Sequence, residues 1–371
     1  MYDVLIIGGG LAGLTTAIQL SHAGLSVLLL EKNVYPFHRV CGEYISNEVK
    51  PFLSSIGVEV EALNPSHLHY LTVTSPHGTK LEATLDMGAF GVSRYNLDFH
   101  LYKIALKNGC TTKLNVQVQE VLFMENFFIV KLSDGTEETA RLVIGSFGKR
   151  SNLDRQLNRA SFYKRSPYIG VKYHIKTDFP RNRIALHNFK DGYCGISAIE
   201  DDKYCLCYLT TRENLKKYST IEELEKNILY KNPFLNYIFR NASFLYTRPE
   251  VINEIAFEEK TSVEKHLLML GDTAGTIAPL CGNGMSMAIH SAKIASECIL
   301  KHYHSSGFSR DKIETEYAHR WNATFSKRLF IGKKIQQLFG HEIITEATIR
   351  TLKILPPVTK WLIAQTHGKE F

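Results

Sequence analysis

The sequence contains no apolar run approaching the ~18 residues that a membrane-spanning helix needs, so no span is expected. It contains no Cys-x-x-Cys pair. Its seven cysteines (Cys41, Cys110, Cys194, Cys205, Cys207, Cys281 and Cys298) are odd in number and widely spaced. That spacing argues against a zinc site and against a redox dithiol, and no metal is expected. Cys205 and Cys207 stand two apart in a strand-like run, KYCLCYL, and are expected to share one face as packed core thiols. All seven are expected to be reduced. There is no internal repeat and no low-complexity tract. The N-terminus enters a strand pattern at once, YDVLII, with neither a basic leader nor a cleavage site, so a cytoplasmic protein is expected.

What is present is an ordinary globular composition. Hydrophobic residues make up 44% of 371, a length that suits one large or two interlocked domains. The net charge is +7, and it is unevenly placed. Between Arg320 and Phe371 stand nine Lys/Arg and only three Asp/Glu, so the last 52 residues carry nearly all of the excess. Basic patches with aromatic platforms are missing, so nucleic acid is not an expected partner.

The first 32 residues carry the clearest chemistry. Val4 to Ile7 read as a strand buried on both faces. Gly8, Gly10 and Gly13 follow as G-x-G-x-x-G, and Leu14, Ala17 and Ile18 recur at helical spacing. A second buried strand, Val27 to Leu30, ends at Glu31. In such a unit the first glycine permits a tight turn, the second lets a pyrophosphate approach the backbone, and the third lets helix and strand pack closely. The helix start offers unpaired N–H groups to phosphate. Glu31, 18 residues after Gly13, is placed to accept ribose hydroxyl bonds.

A second stretch distinguishes between dinucleotides. HLLMLGDTAGTIAPLCGNGMSMAIHSAKIASECIL, residues 266–300, runs from a strand into Gly271-Asp272, then a Pro/Gly loop, then a helix. This order resembles the C-terminal FAD fingerprint of the p-hydroxybenzoate-hydroxylase-like flavoproteins. The resemblance implies that Asp272 binds the ribityl chain and that the loop from Pro279 to Met285 lies against the isoalloxazine and the pyrophosphate. A third stretch, SRYNLDFHLYKIALKNG, places Arg94 where those flavoproteins have an arginine that reaches FAD. The opposing possibility is an arginine on a solvated helix start.

Two departures narrow the reaction. Many monooxygenases of that superfamily carry Asp-Gly after V-I-G-A, contacting FAD and NADPH; here RLVIGSFGKRSNLDR has Phe147-Gly148. The tryptophans of the halogenase signature are missing from GYCGISAIEDDKYCLCYL, so halogenation is not expected. The loop HRVCGEYIS, residues 38–46, instead resembles the C-G-E or C-G-G loop of the geranylgeranyl reductases of the same superfamily. That resemblance puts Cys41 and Gly42 against the reactive ring, with Cys41 and Glu43 as candidate catalytic residues. Glu43 is either a proton relay or a hydrogen-bonder that orders the loop, and the alternative for Cys41 is a small buried residue. In full, the resemblance implies cofactor contacts at Gly8, Gly10, Leu11, Ala12, Gly13, Glu31, Lys32, Val40, Cys41, Gly42, Arg94, Val118, Gly148, Gly271, Asp272, Pro279, Gly282, Asn283, Gly284 and Met285. Since no second G-x-G-x-x-G exists, NADPH or NADH would dock transiently as reductant, or a protein donor would supply electrons.

The expected fold is α/β. A Rossmann-like, glutathione-reductase-type FAD-binding domain (1–67, 94–159 and 263–310) is interleaved with a mostly antiparallel sheet (68–93 and 160–262), and a helical region follows (311–371). The sheet is expected to roof the flavin. Its aromatics, Tyr168, Tyr173, Phe179, Phe189, Tyr193, Tyr204 and Tyr208, suggest an apolar cavity, or only ordinary sheet propensity. The function expected is reduction of carbon–carbon double bonds in a prenyl-like or other long apolar substrate, in lipid or secondary metabolism. The alternatives are hydroxylation of an aromatic or polyene with oxygen, and a non-catalytic flavin-binding protein. In the C-terminal stretch Leu329, Phe330, Ile331, Ile335, Leu338 and Phe339 alternate with Lys327, Lys333 and Lys334. An amphipathic basic helix is expected, either a cap on the FAD domain or one that also rests peripherally on an anionic membrane.

Overall fold

The computed structural model describes residues 1–163, 166–253, 260–304, 307–339 and 341–371, with every side chain among them except those of Ser161, His304 and Leu338. Two sheets organise it. The strands are, in chain order, β1 Tyr2–Ile7, β2 Val27–Glu31, β3 Tyr44–Ser46, β4 Ser66–Thr74, β5 Lys80–Gly91, β6 Thr111–Leu114, β7 Val118–Met124, β8 Phe127–Leu132 and β9 Glu137–Gly145. They continue as β10 Tyr168–Lys176, β11 Arg183–Phe189, β12 Gly192–Ala198, β13 Tyr204–Thr211, β14 Ser243–Phe244, β15 Glu250–Asn253, β16 Val263–Glu264 and β17 Leu267–Met269.

The first sheet runs β16-β17-β9-β1-β2-β6, with β7 and β8 added beside β9. Its central pairs, β2–β6, β1–β2, β1–β9 and β9–β17, are parallel. Val4 to Ile7 are buried because a parallel sheet is covered on both faces. The helices Leu11–His22, Arg94–Lys107 and Gly284–His304 share its core. The chain leaves β1 toward β2 on one side and returns through β9 on the other. The carboxyl end of β1 is therefore the switch point where open α/β sheets bind ligands.

The second sheet runs β14-β10-β13-β12-β11-β4-β5-β3, with β15 on β10. All its pairs are antiparallel except β4–β11. The 68–93 hairpin and the 160–262 insertion thus form one roof. The roof also takes in β3, from inside the segment expected to belong wholly to the FAD domain. The strand expected over EVINEIAF is present as Glu250–Asn253, and its remaining residues lie outside the described set.

Of the two readings of the roof aromatics, packing within the sheet core is the one the strands build for most of them. Tyr173, Phe189, Tyr204 and Tyr208, with Phe179 beside them, pack into a second core against helices on the far face. Only Tyr168 and Tyr193 join Leu209 and Leu280 on the near face. Strand alternation divides one aromatic-rich composition between two faces.

The basic C-terminal region holds three helices among the described residues: Arg310–Leu338, Glu342–Ile354 and Pro356–Thr366. The chain breaks between the last two at the paired prolines, as expected. In the long helix Ile313, Tyr317, Trp321 and Phe325 enter the first core, and Leu329 packs on it. Ile335 and Phe339 pack beside Leu280, while Phe330 turns outward. A cap on the FAD domain is therefore present.

Candidate active site

The turn after β1 is built as its glycines require. Gly8 has φ +103°, which L side chains rarely adopt, and a Cβ there would meet the backbone of Ser146. A Cβ on Gly13 would collide with the Gly8 carbonyl oxygen. Gly10 is different, because its Cβ would meet only Arg94 Nη2, at 3.9 Å, so space is open beside it. The helix begins at Leu11 with Gly10 as N-cap and no side chain capping it, leaving first-turn N–H groups, including those of Leu11, Ala12 and Gly13, without intrahelical partners. Glu31 ends β2 and is buried. It accepts from Gly9 N at 2.9 Å and from Asn33 N at 3.0 Å, and pairs with Arg39 Nη2 at 3.3 Å. Lys32, next to it, is exposed.

A compact charge cluster stands over this turn. Arg39 Nε pairs with Asp98 at 3.0 Å, and Arg94 pairs with the same carboxylate through Nε at 2.7 Å and Nη2 at 2.8 Å. Burial lowers the Arg94 pKa, but the Asp98 carboxylate, with Cys41 nearby, outweighs that and raises it. Arg94 therefore sits between Gly10 and Cys41, as a residue lining the site and not one on a solvated helix start.

The C-G-E loop is held from above by three roof strands. From β10, Lys172 Nζ donates to Arg39 O at 3.1 Å and to Glu43 Oε1 at 2.5 Å, and His174 Nε2 lies 2.6 Å from Glu43 Oε2. From β12, Ser197 Oγ donates to Gly42 O at 3.3 Å. From β13, Cys205 Sγ donates to Cys41 O at 3.2 Å. Below, Glu43 Oε1 accepts from Arg94 N at 2.9 Å. Lys172 and Glu43 have no solvent-exposed side-chain surface. Burial pushes the Glu43 carboxyl up, but the Lys172 ammonium and the His174 hydrogen bond more than offset it and hold it at about 2. The Lys172 ammonium is raised in turn: burial lowers it, and Glu43 outweighs the burial. Cys41 is half-buried, Val40 likewise, and Gly42 is exposed with nothing within 4 Å of the position of a Cβ.

Glu43, His174 and Cys205 bring their ligand atoms within 4.8 Å of one another, as a metal site would. The ammonium already on the Glu43 carboxylate supplies the positive charge a metal would bring, so the group is a charge-paired clamp. Cys205 is accordingly not merely a core thiol: Cys205 and Cys207 share the face turned toward Cys41, and Cys207 is only half-buried. All seven cysteines are free.

From His174 the hydrogen bonds continue outward. Its Nδ1 lies 2.7 Å from Tyr246 Oη, which lies 3.0 Å from His38 Nδ1. Burial first, then Lys172 and His174, lower the His38 pKa. His38, His174 and Tyr246 open on a cavity of about 350 Å³ lined also by Tyr95, Asn96 and Lys203. A larger cavity of about 600 Å³, lined by Lys226, Tyr230 and Arg240, lies among the roof helices and shares no residue with this site.

The second fingerprint closes on the first. Gly271 follows β17 with φ +56° and would place a Cβ against Ala288 and Ala12. Asp272 is half-buried. Gly148 N donates to Thr273 Oγ1 at 2.9 Å, joining the turn after β9 to this loop, and a Cβ on Gly148 would meet nothing within 4 Å. Pro279 opens a short 3-10 turn ending at Gly282, after which Asn283 precedes the helix that begins at Gly284 and contains Met285. Asn283 Oδ1 and Ser286 Oγ are buried with no hydrogen-bond partner among the described residues. Val118 stands apart: it pairs with Leu132 in β7–β8 and its side chain lies in the first core. The switch-point crevice therefore presents a bare helix start, open glycines, a terminal carboxylate and orphaned polar atoms, which is a donor and acceptor set that suits a dinucleotide.

Comparison with known proteins agrees. Residues 3–38 match the family model described as FAD dependent oxidoreductase. Over 344 residues the chain is 25% identical to a digeranylgeranylglycerophospholipid reductase of Methanosarcina acetivorans, spanning 87% of this chain and 81% of that one. Over 364 residues it is 26% identical to conditioned medium factor receptor 1 of Dictyostelium discoideum, spanning 88% and 68%. Among solved structures, the flavin-dependent brominase Bmp2 superposes with a TM-score of 0.78 at 18% identity, covering 97% of this chain and 93% of that one.

The chain is an FAD-dependent oxidoreductase.

For this oxidoreductase FAD is the cofactor, and the groups at the turn after β1 and along the Gly271–Met285 loop are of kinds that fit it. The fold is the one expected, including the interleaved roof and the helical C-terminus. No helix among the described residues is long and apolar enough to cross a membrane. Lys172, His174, Arg39, Ser197 and Tyr246 were not singled out by the sequence, although they surround the loop that was.

Proposed function

We propose that this oxidoreductase reduces carbon–carbon double bonds in a prenyl-like or other long apolar molecule. The observation carrying the proposal is the pinned loop: a half-buried Cys41 and an exposed Gly42 held at fixed height by Lys172, Ser197, Cys205 and His174. A loop fixed from three strands presents one thiol reproducibly, which a proton donor requires. The resemblance of the C-G-E loop to geranylgeranyl reductases and the similarity to the archaeal reductase support the same reading.

Reduced FAD supplies the hydride. The chain's own tasks are to seat the apolar substrate, exclude water and hold a proton. Cys41 Sγ is the proposed proton donor, on a loop whose Cys41 O and Gly42 O are fixed by Cys205 and Ser197. Glu43, held at about 2, is an anion near neutral pH. Its proposed role is therefore to position the loop, the second of the two roles its sequence context allowed. Tyr193, Leu209 and Leu280, packed together on the near face, are the proposed apolar side of the substrate site. The electron donor is proposed to be a nicotinamide nucleotide docking transiently, or a protein.

Cys41→Ala is expected to retain FAD and the fold while lowering kcat roughly 10²-fold, the scale of a single proton-transfer contribution. It is expected to leave binding of the apolar substrate unchanged. Steady-state kinetics with a retained flavin spectrum checks this; wild-type kcat would remove Cys41 from the chemistry. The reaction class is tested by turnover without oxygen. Product two mass units heavier per double bond, formed anaerobically, is expected; product formed only with oxygen, 16 mass units heavier, would establish hydroxylation instead.

A further inference from the structure

We propose that the outward face of the three C-terminal helices docks on an anionic lipid surface. Most of the core's large apolar side chains are buried, yet this segment carries several in water. Ile343 is 86% exposed, Ile354 77%, Phe330 63% and Trp361 56%, and Leu355 and Val358 are exposed as well. Isolated exposed apolar residues are ordinary; a run of them on adjoining helices marks an interaction surface.

Their spacing makes faces. On Glu342–Ile354 the inward positions are Thr345, Ile349 and Leu352, of which Ile349 packs with Val73 and Leu81. The outward positions are Ile343, Ala347, Arg350 and Ile354, at intervals of four, three and four. On Pro356–Thr366 Ile363 packs inward against Tyr44 and Leu68, while Pro357, Lys360, Trp361 and Ala364 point out. The last turns of Arg310–Leu338 expose Lys327, Phe330, Lys333 and Lys334. The three helices pack on one another.

The occupant follows from charge. Apolar side chains interleaved with lysine and arginine, and nine basic against three acidic residues from Arg320 onward, complement a surface that is apolar beneath and negative on top. A water-soluble protein partner would need its own acidic, apolar patch; an anionic bilayer offers both everywhere. The same helices brace the flavin loop: Gln336 Oε1 accepts from Leu280 N at 3.4 Å, and Thr366 O accepts from Asn283 Nδ2 at 3.0 Å. The docking face is thus attached directly to the site at which an apolar substrate is proposed to react. The docking claim does not depend on that reaction.

The test uses the full chain with its FAD and vesicles of phosphatidylcholine with or without phosphatidylglycerol. Only Trp321 and Trp361 report, and Trp321 is buried. Sedimentation with anionic vesicles, emission quenched by brominated acyl chains and absence of that quenching in Trp361→Phe are expected. Partition should fall about tenfold between about 0.1 M and about 0.5 M salt, as screening shortens the reach of the charges. Ile343→Asp with Ile354→Asp should abolish binding while FAD retention and melting stay at wild-type values. Equal binding to neutral vesicles, no binding at the lower salt, or binding without Trp361 quenching overturns the proposal. So does lipid-independent self-association removed by the two aspartates, which would make the face a contact between copies of this chain. If the aspartate variant fails to fold, the quenching of the wild-type chain decides alone. None of these outcomes reads turnover, so they stand apart from the fate of the reductase proposal.

Discussion

Gly13→Val is expected to yield a colourless protein. Any Cβ at this position collides with the Gly8 carbonyl oxygen and comes within 2.6 Å of Ser146 Oγ. The first obstacle is backbone and cannot rotate away. The helix must then move off β1, which costs about 1–3 kcal/mol or more as overpacking and carries its bare N–H groups away from the phosphate position. Gly10→Ala separates the two effects. Its methyl meets only Arg94 Nη2, at 3.9 Å, so melting should stay near wild type. Because the methyl stands where the pyrophosphate approaches, FAD affinity should nonetheless fall at least about tenfold. Visible absorbance on purification, a fluorescence titration with FAD and a thermal melt give the comparison. Wild-type affinity in Gly10→Ala would mean that the dinucleotide does not cross the turn there.

The difference between what the sequence disclosed and what it hid is a difference between local and distant contacts. Gly8, Gly10 and Gly13 were legible because a tight turn and a close helix approach are set by the backbone of a few residues. Gly271 and the Pro279–Gly284 loop were noticed through their resemblance to an FAD fingerprint, which is also a local run of residues. The clamp on the C-G-E loop was hidden because its parts come from β10, β12 and β13, more than 120 residues away in the chain. One trace of it exists. In YIGVKYHIK, Lys172 and His174 are two apart while Val171, Tyr173 and Ile175 alternate with them, and that pattern sets two polar side chains on one face of a strand buried on both. Read as such, it announces a buried polar partner, since an unpaired lysine would not be tolerated there. The aromatic residues left two readings open for the complementary reason. Composition reports how many a sheet carries, whereas the parity of each position decides its face. Tyr193 looks toward Leu280 and Tyr173 away from it.

Glu43→Ala is expected to cost about 3–5 kcal/mol of stability, because it leaves the fully buried Lys172 ammonium without its counter-charge. It also removes the acceptor of His174 and of Arg94 N, and frees a loop residue held at φ +54°. Glu43→Gln keeps the shape and one acceptor but not the charge, so it should lose somewhat less. Glu43→Leu combined with Lys172→Met should recover most of the loss, since a buried ion pair can be replaced by apolar groups of similar volume at little cost. The pH dependence has a definite sign. The folded carboxyl titrates at about 2, below its ordinary value of 4.5, so its contribution is fully present above about 4.5 and is lost as the pH falls toward 2. Wild type should therefore lose stability steeply across that window, and the double variant should lose measurably less. Chemical denaturation at neutral pH and at several points down to about pH 3 checks both statements. A Glu43→Ala loss under about 1 kcal/mol, or identical acid profiles for wild type and double variant, would show that the clamp is not what fixes the loop.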